Sequence, residues 1–144
     1  VSFLRKNFAL LSIVPIARTA GICLSVIRMR GFFTLNTFLR HTELFDTYLA
    51  VDPSLWWDQG RLVREAEALV AGRDFKGKSL YIGVASKKRT DRVDIHLDKV
   101  SYLLSELLPQ AENLRFFSKS FPDENHGTVA VPGIYDGIKQ LFGK

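Results

Sequence analysis

Beyond Gly31, short apolar runs alternate with amphipathic segments at helical spacing, and this alternation constrains the fold more than any other feature. The runs that read as strands are Thr47–Val51, Leu80–Ala85 and Leu114–Phe121. The segments predicted to be helical are Gly31–His41, Gly60–Ala71, Asp94–Leu108 and Pro132–Phe142. Strict alternation with near-continuous apolar strands favours a parallel sheet with helices on both faces. The sequence therefore predicts a three-layer α/β fold with about three strands.

A sheet of three strands is thin for this class of fold. Its outer strands would present unpaired backbone groups, which is a liability unless another element covers them. The 144 residues therefore look like part of a larger fold rather than a self-contained sheet.

The first thirty residues differ in composition from the rest. They hold five basic residues, no acidic ones, the only Cys and the only Met, whereas residues 31–144 hold 15 basic and 15 acidic groups. The net charge of +5 thus belongs to one terminal segment. A phosphate-binding surface needs its basic patch on the folded body, so nucleic acid is not an expected partner. We expect residues 1–30 to be an atypical segment and 31–144 to be the domain.

The atypical segment resembles a signal peptide. Arg5 and Lys6 precede an apolar stretch, Phe8–Ala17, and small residues follow it. The stretch is too short to span a bilayer, which takes about 20 apolar residues. Both a cytoplasmic and a periplasmic or secreted location stay open. If the segment has no designed role, we expect it to pack poorly on the domain.

In an open parallel sheet, ligands bind beyond the carboxyl ends of the strands, so catalytic and binding residues are expected there. His126 follows the last predicted strand, among polar residues and before a glycine, where a histidine can act as a general base. Ser54, Trp56 and Trp57 follow the first, and the tryptophans could wall a substrate pocket or pack in the core. One cysteine, Cys23, and three scattered histidines predict neither a disulfide nor a metal site.

Several blocks together resemble the esterases of the α/β-hydrolase superfamily, the group of siderophore (enterobactin-type) esterases and relatives of esterase D. The blocks that carry the resemblance are Phe33–Phe45, Tyr48–Trp57 with its Pro-Ser-Leu-Trp-Trp, Lys78–Ala85, Asn125–Val129 and Ile134–Ile138. They cover roughly residues 31–144 and match the C-terminal half of such a domain. The resemblance implies a truncated α/β-hydrolase fold.

In that family the helix matching Gly31–His41 is preceded by Gly-His-Ser-x-Gly-Gly, with the nucleophilic serine on a sharp strand-to-helix turn. Here Arg28 stands in the place of the serine, and arginine has no attacking atom. Codons permitted for Ser25–Gly31 allow Gly-His-Ser-x-Ala-Gly in a shifted frame. We therefore hypothesise that residues 1–30 are a frame-shifted translation of an esterase gene.

The resemblance implies hydrolysis of carboxylic esters through an acyl-serine intermediate, without metal or cofactor, on a small-molecule ester. It makes His126 the base and places the acid after Leu80–Ala85, where Asp91 is the first carboxylate. Without the serine, the chain is predicted to be a catalytically impaired fragment. The alternative is a secreted or membrane-tethered binding module without catalysis.

Overall fold

The computed structural model describes residues 21–86 and 101–143. Four strands and three helices alternate along them, with a short 3₁₀ turn at Thr42–Leu44 and a π-helical turn at Leu103–Leu107. The order is β1 (Ile22–Arg28), α1 (Met29–Arg40), β2 (Thr47–Pro53), α2 (Trp57–Val70), β3 (Ser79–Ala85), β4 (Arg115–Phe121) and α3 (Ala130–Phe142).

The strands form one parallel sheet in the order β1-β2-β3-β4. The register runs without a slip across the middle of the sheet: Leu49 of β2 lies opposite Tyr81 of β3, which lies opposite Phe117 of β4. The predicted α/β class and the three predicted strands are confirmed.

The fourth strand, β1, comes from the segment that we expected to pack poorly. Its backbone pairs with β2 from Ile22 opposite Thr47 to Arg28 opposite Pro53. For residues 22–28 that expectation is wrong, because their backbone groups extend the parallel ladder. Phe8–Ala17 lies outside the described residues, and the division of the chain at Gly31 stays a prediction.

Helices cover both faces of the sheet. On one face, α1 and α2 pack over a core that includes Phe38, Tyr48 and Phe75, with Phe38 and Phe75 stacked at 5.2 Å between ring centroids. On the other face, α3 packs over Leu49, Val51 and Tyr81. Period-two alternation along β2 sends neighbouring side chains into these two separate cores. The result is the three-layer arrangement that the sequence predicts.

Glycine allows α3 to sit close to the sheet. A Cβ atom on Gly133 would meet Cγ1 of Val51 at 2.7 Å, and one on Gly137 would meet Cδ1 of Leu49 at the same distance. Larger side chains at these two positions would push the helix away from β2.

Helix boundaries differ from the prediction where the local backbone is unusual. The helix predicted at Gly60–Ala71 begins at Trp57, but Asp58, Gln59 and Gly60 have left-handed φ values of 49°, 54° and 69°. Regular right-handed helix therefore follows only after Gly60, near the predicted start. Of the segment predicted at Asp94–Leu108, the described part is helical from Ser101 and passes through the π-helical turn.

Candidate active site

Asp52 lies at the carboxyl end of β2 and connects two strands. Its backbone adopts a left-handed φ of 45°, which aspartate tolerates better than most residues. Its Oδ1 accepts a hydrogen bond of 3.0 Å from the backbone N–H of Ala85, at the end of β3. The last backbone pair between the two strands is Val51 with Gly83, so the Asp52 carboxylate adds a bond beyond the end of the ladder.

His126 lies in the turn between β4 and α3. Asn125 shapes this turn: its Oδ1 accepts from the N–H of Gly127 at 2.7 Å, and its backbone oxygen accepts from the N–H of Thr128 at 3.0 Å. An asparagine that bonds the backbone two residues ahead forms a turn of defined shape. The imidazole of His126 is thus carried on an ordered turn at the carboxyl edge of the sheet.

Asp52 and His126 form a hydrogen-bonded pair. Nδ1 of His126 bonds to Oδ2 of Asp52, and the two side chains are only 24% and 16% exposed. A carboxylate that accepts from Nδ1–H fixes the imidazole in the tautomer that leaves Nε2 free to take a proton. The arrangement can therefore serve as a general base with a held orientation.

A cavity of about 140 Å³ adjoins this pair. Its lining consists of Asp52, Pro53, Ser54, Trp56, Ala85, Asn125 and His126. Of the residues predicted from sequence, His126, Ser54 and Trp56 therefore come together. Ser54 is buried, whereas Trp56 is 55% exposed.

Trp57 is a predicted residue that does not line this cavity. Trp57 packs edge-to-face with Trp56, at 6.1 Å between ring centroids, but lines a separate cavity between α1 and α2 together with Arg40 and Arg61. Asp91 lies outside the described residues, so its role as the acid stays a prediction. The carboxylate that the structure places on Nδ1 is Asp52, at the end of β2.

The turn from β1 into α1 lies beside the same cavity. β1 ends at Arg28 and α1 begins at Met29, so strand passes into helix without a loop. Arg28 pairs in register with Pro53, which lines the cavity. A Cβ atom on Gly31 would meet the backbone oxygen of Val51 at 2.8 Å, so the first turn of α1 fits against β2 only with glycine there. A strand that passes directly into a helix therefore lies beside the cavity, with Arg28 as the last residue of the strand.

Tyr81, Lys119 and Asp136 form a second cluster of hydrogen-bonded side chains, which holds α3 on the sheet. α3 is the helix that follows the His126 turn. The hydroxyl of Tyr81 donates to Oδ2 of Asp136 at 2.9 Å, and Nζ of Lys119 lies 2.7 Å from Oδ1 of the same carboxylate. Burial, reinforced by the neighbouring carboxylate, raises the pKa of Tyr81 well above its usual range. Tyr81 therefore stays a neutral donor, and the bond ties α3 to β3.

The IroE-like serine hydrolase from Shewanella oneidensis is 30% identical and superposes with a TM-score of 0.71 over 96% of this chain and 44% of its own. The siderophore enterobactin esterase of Emericella nidulans is 27% identical, over 77% of this chain and 44% of its own. The chain is similar to siderophore esterases of the serine-hydrolase type. The resemblance drawn from the motifs is thereby confirmed.

The fold agrees with further solved structures. Siderophore hydrolase EstA from Aspergillus nidulans superposes with a TM-score of 0.70 at 23% identity, covering 96% of this chain and 52% of its own. No model of a known protein family matches the chain. The chain spans less than half the length of the curated relative that it matches, in keeping with a match to half of an α/β-hydrolase domain.

Two negative findings apply to residues 21–86 and 101–143 alone. No helix within these ranges is long and apolar enough to cross a membrane. Nor do these ranges bring together three or more histidine, cysteine, aspartate or glutamate side chains that could hold a metal ion.

Proposed function

We propose that this chain carries the base-bearing half of a serine esterase that hydrolyses carboxylic esters. The observation that carries the proposal is the Asp52–His126 pair, held at the carboxyl edge of a parallel sheet beside a strand-to-helix turn. The relatives named above are siderophore hydrolases and a serine hydrolase. An ester of siderophore type is therefore the substrate class that we propose for the intact domain.

In this mechanism a serine hydroxyl attacks the ester carbonyl carbon while Nε2 of His126 takes its proton. The bond to the alcohol oxygen then breaks, and the protonated His126 returns the proton to that oxygen. Water, deprotonated by the same nitrogen, then attacks the acyl carbon. The bond to the serine oxygen breaks, His126 returns the proton to that oxygen, and the acid is released. Asp52 holds the imidazole and stabilises its charged form, while Ser54 and Trp56 line the space next to the reacting group.

The serine that this sequence of steps needs does not stand at the strand-to-helix turn of this chain, where the sequence has Arg28. Arg28 is the last residue of β1, and a guanidinium does not attack a carbonyl. Ser54 is the serine that lines the cavity, but it is buried and follows Pro53 rather than a sharp turn into a helix. We therefore expect the polypeptide to be catalytically impaired.

The experiment that tests the proposal restores the nucleophile. The Arg28→Ser chain, with Val26→Gly and Arg30→Gly to relieve the tight turn, should label with a fluorophosphonate probe, and the unaltered chain should not. Removing the base from the restored chain with His126→Ala should slow labelling by about 10²–10⁴-fold.

Two other outcomes would contradict parts of the proposal, one concerning the base and one concerning the nucleophile. If the restored chain folds but labels no faster than its His126→Ala partner, His126 is not the base. If the unaltered chain labels stoichiometrically, a nucleophile is present after all, and Ser54→Ala is the variant that identifies it.

The frame-shift hypothesis for residues 1–30 stays a prediction. Resequencing the locus tests it: an upstream esterase half in a shifted frame supports it, and an intact frame with no esterase upstream refutes it. The alternative of a secreted or tethered binding module is not favoured by the comparisons, because the relatives named are hydrolases.

A further inference from the structure

β4 is the outer strand of the sheet on the side opposite β1. Its inner edge pairs with β3 along its whole length, and no strand within residues 21–86 and 101–143 pairs with its outer edge. An outer strand presents unpaired backbone N–H and C=O groups, to which a further strand can bond. The residues from Ser118 to Ser120 are exposed, so a partner strand has access to this edge.

Hydrogen bonds at the two ends of β4 show which of its backbone groups face outward. The N–H of Arg115 donates to the oxygen of Lys78 at 3.1 Å, and the oxygen of Phe121 accepts from the N–H of Ser86 at the same distance. The backbone groups of successive residues in a strand point to alternate edges. The odd-numbered residues of β4 therefore bond to β3, and the backbone groups of the even-numbered residues point outward. The outward-facing residues are Phe116, Ser118 and Ser120.

The odd-numbered side chains of β4 place an aromatic ring beside each cation. The guanidinium carbon of Arg115 lies 5.1 Å from the ring centroid of Phe117, and Nζ of Lys119 lies 5.3 Å from that of Phe121. A lysine on an outer strand ordinarily discourages pairing through its charge. Here the carboxylate of Asp136 lies 2.7 Å from Nζ of Lys119 and balances that charge. The edge therefore lacks the charge repulsion that would keep another strand away.

The spacing of the two cations favours one register for antiparallel pairing of β4 with a second copy of itself. Centred on Phe117, the pairing would place Arg115 opposite Lys119 of the second copy, and centred on Lys119 it would place two lysines opposite each other. Like charges directly opposite each other destabilise a sheet. Centred on Ser118, the pairing places Lys119 opposite Phe117. In the same register Arg115 lies opposite Phe121, so each cation meets an aromatic ring of the second copy.

We propose that two copies of this chain form a dimer by antiparallel pairing of their β4 strands, centred on Ser118. The backbone groups of Ser118 bond to their own counterparts across a two-fold axis, and those of Phe116 bond to those of Ser120 in each direction. This register makes about six hydrogen bonds from groups that already point outward, without breaking a bond to β3. The proposal concerns assembly and does not depend on the proposed function.

Sedimentation velocity over a series of concentrations tests the proposal. The unaltered chain should show a reversible equilibrium between monomer and dimer. Ser118→Pro removes an outward-facing N–H and no hydrogen bond to β3, so it should weaken the dimer at least about tenfold. Ser118→Ala is the matched control, because it keeps the N–H, and it should change the dissociation constant less than about twofold.

A cysteine cross-link measures the register and does not depend on how well the strand tolerates proline. Cys23→Ser removes the one native thiol. In that background Ser118→Cys should give a disulfide-linked dimer under mild oxidation, because directly opposed residues of a hydrogen-bonded pair lie about 5.5 Å apart between Cα atoms. Ser120→Cys is the matched control on the same edge. In the proposed register it lies more than about 10 Å from its counterpart and should not cross-link.

A dimer weakened by Ser118→Pro, with cross-linking of the Ser118→Cys variant alone, supports the proposal. A monomer at every concentration would overturn it. So would equal cross-linking of the two cysteine variants, since contact would then be random or in another register. A dimer that withstands Ser118→Pro while neither cysteine variant cross-links would also overturn it, because the copies would then meet through another surface.

Discussion

Replacing Asp52 with asparagine isolates the contribution of its charge to the site. The asparagine Oδ1 can still accept from the N–H of Ala85, so the connection between β2 and β3 survives. The other half of the amide becomes an NH₂ group, which donates where the carboxylate accepted. It would therefore donate to Nδ1 of His126 and move the imidazole proton to Nε2, the nitrogen that has to act as the base.

The magnitude follows from the bonds that change. A hydrogen bond to a charged group contributes about 1.5–3 kcal/mol, and a neutral one about 0.5–1.5 kcal/mol. Because asparagine replaces one with the other at a site where the acid is 16% exposed, we expect a loss of about 1–2 kcal/mol in the free energy of unfolding. Asp46→Asn is the matched control: this acid is 49% exposed beside Lys78, so its loss should stay below about 1 kcal/mol.

Two measurements check the expectation. Urea denaturation gives the free energies, and ¹⁵N NMR of labelled histidine at about pH 9, where imidazoles are ordinarily neutral, distinguishes the two tautomers. His126→Gln assigns the signals. The unaltered chain should show the proton on Nδ1, and Asp52→Asn should show it on Nε2. If both proteins share one tautomer, the carboxylate does not select it, and the argument for an oriented base fails.

Two further predictions concern the packing of α3 on the sheet. Gly137→Ala should lower the free energy of unfolding by about 1–2 kcal/mol in urea titration, because its Cβ would meet Leu49 at 2.7 Å, whereas the exposed Gln140→Ala should change it by less than about 0.5 kcal/mol. A Gly137 variant as stable as the control would contradict the close packing. Tyr81→Phe should cost about 1–2 kcal/mol near neutral pH, since the hydroxyl donates to the Asp136 carboxylate. Because the pKa of Tyr81 is raised in the folded state, wild-type stability should fall as pH rises above about 10, where unfolded tyrosine ionises, and Tyr81→Phe should lack that part of the fall. Parallel pH profiles for the two proteins would be evidence against a buried, neutral hydroxyl.

The central strands and most helices could be predicted because their cause is local. A strand buried on both faces, such as Thr47–Pro53, needs an unbroken apolar run, and a half-buried helix needs apolar residues at helical spacing. Both patterns can be seen without knowing what packs against them. His126 could be predicted from the same logic, since the carboxyl edge of a parallel sheet is where its loops gather.

The rest depends on contacts that one segment does not reveal. Asp52 is separated from His126 by 74 positions, and nothing near Asp52 marks it as a partner for an imidazole. The resemblance directed attention to the loop after β3, whereas the carboxylate that bonds to Nδ1 of His126 lies at the end of β2. β1 was missed because composition set the first thirty residues apart, although pairing with β2 uses backbone groups that any sequence supplies.

The hydrogen bond that Asp52 accepts from the backbone N–H of Ala85 constrains how such a chain can evolve. The carboxylate that bonds to the imidazole also joins the ends of β2 and β3. Its loss would therefore lower the free energy of unfolding even in a chain that hydrolyses no ester. Selection for a folded protein therefore favours an acceptor at position 52, where asparagine would also preserve the bond to Ala85. A lineage that loses the serine of the proposed site would then keep position 52 beside His126, and the pair would remain in place at the carboxyl edge of the sheet.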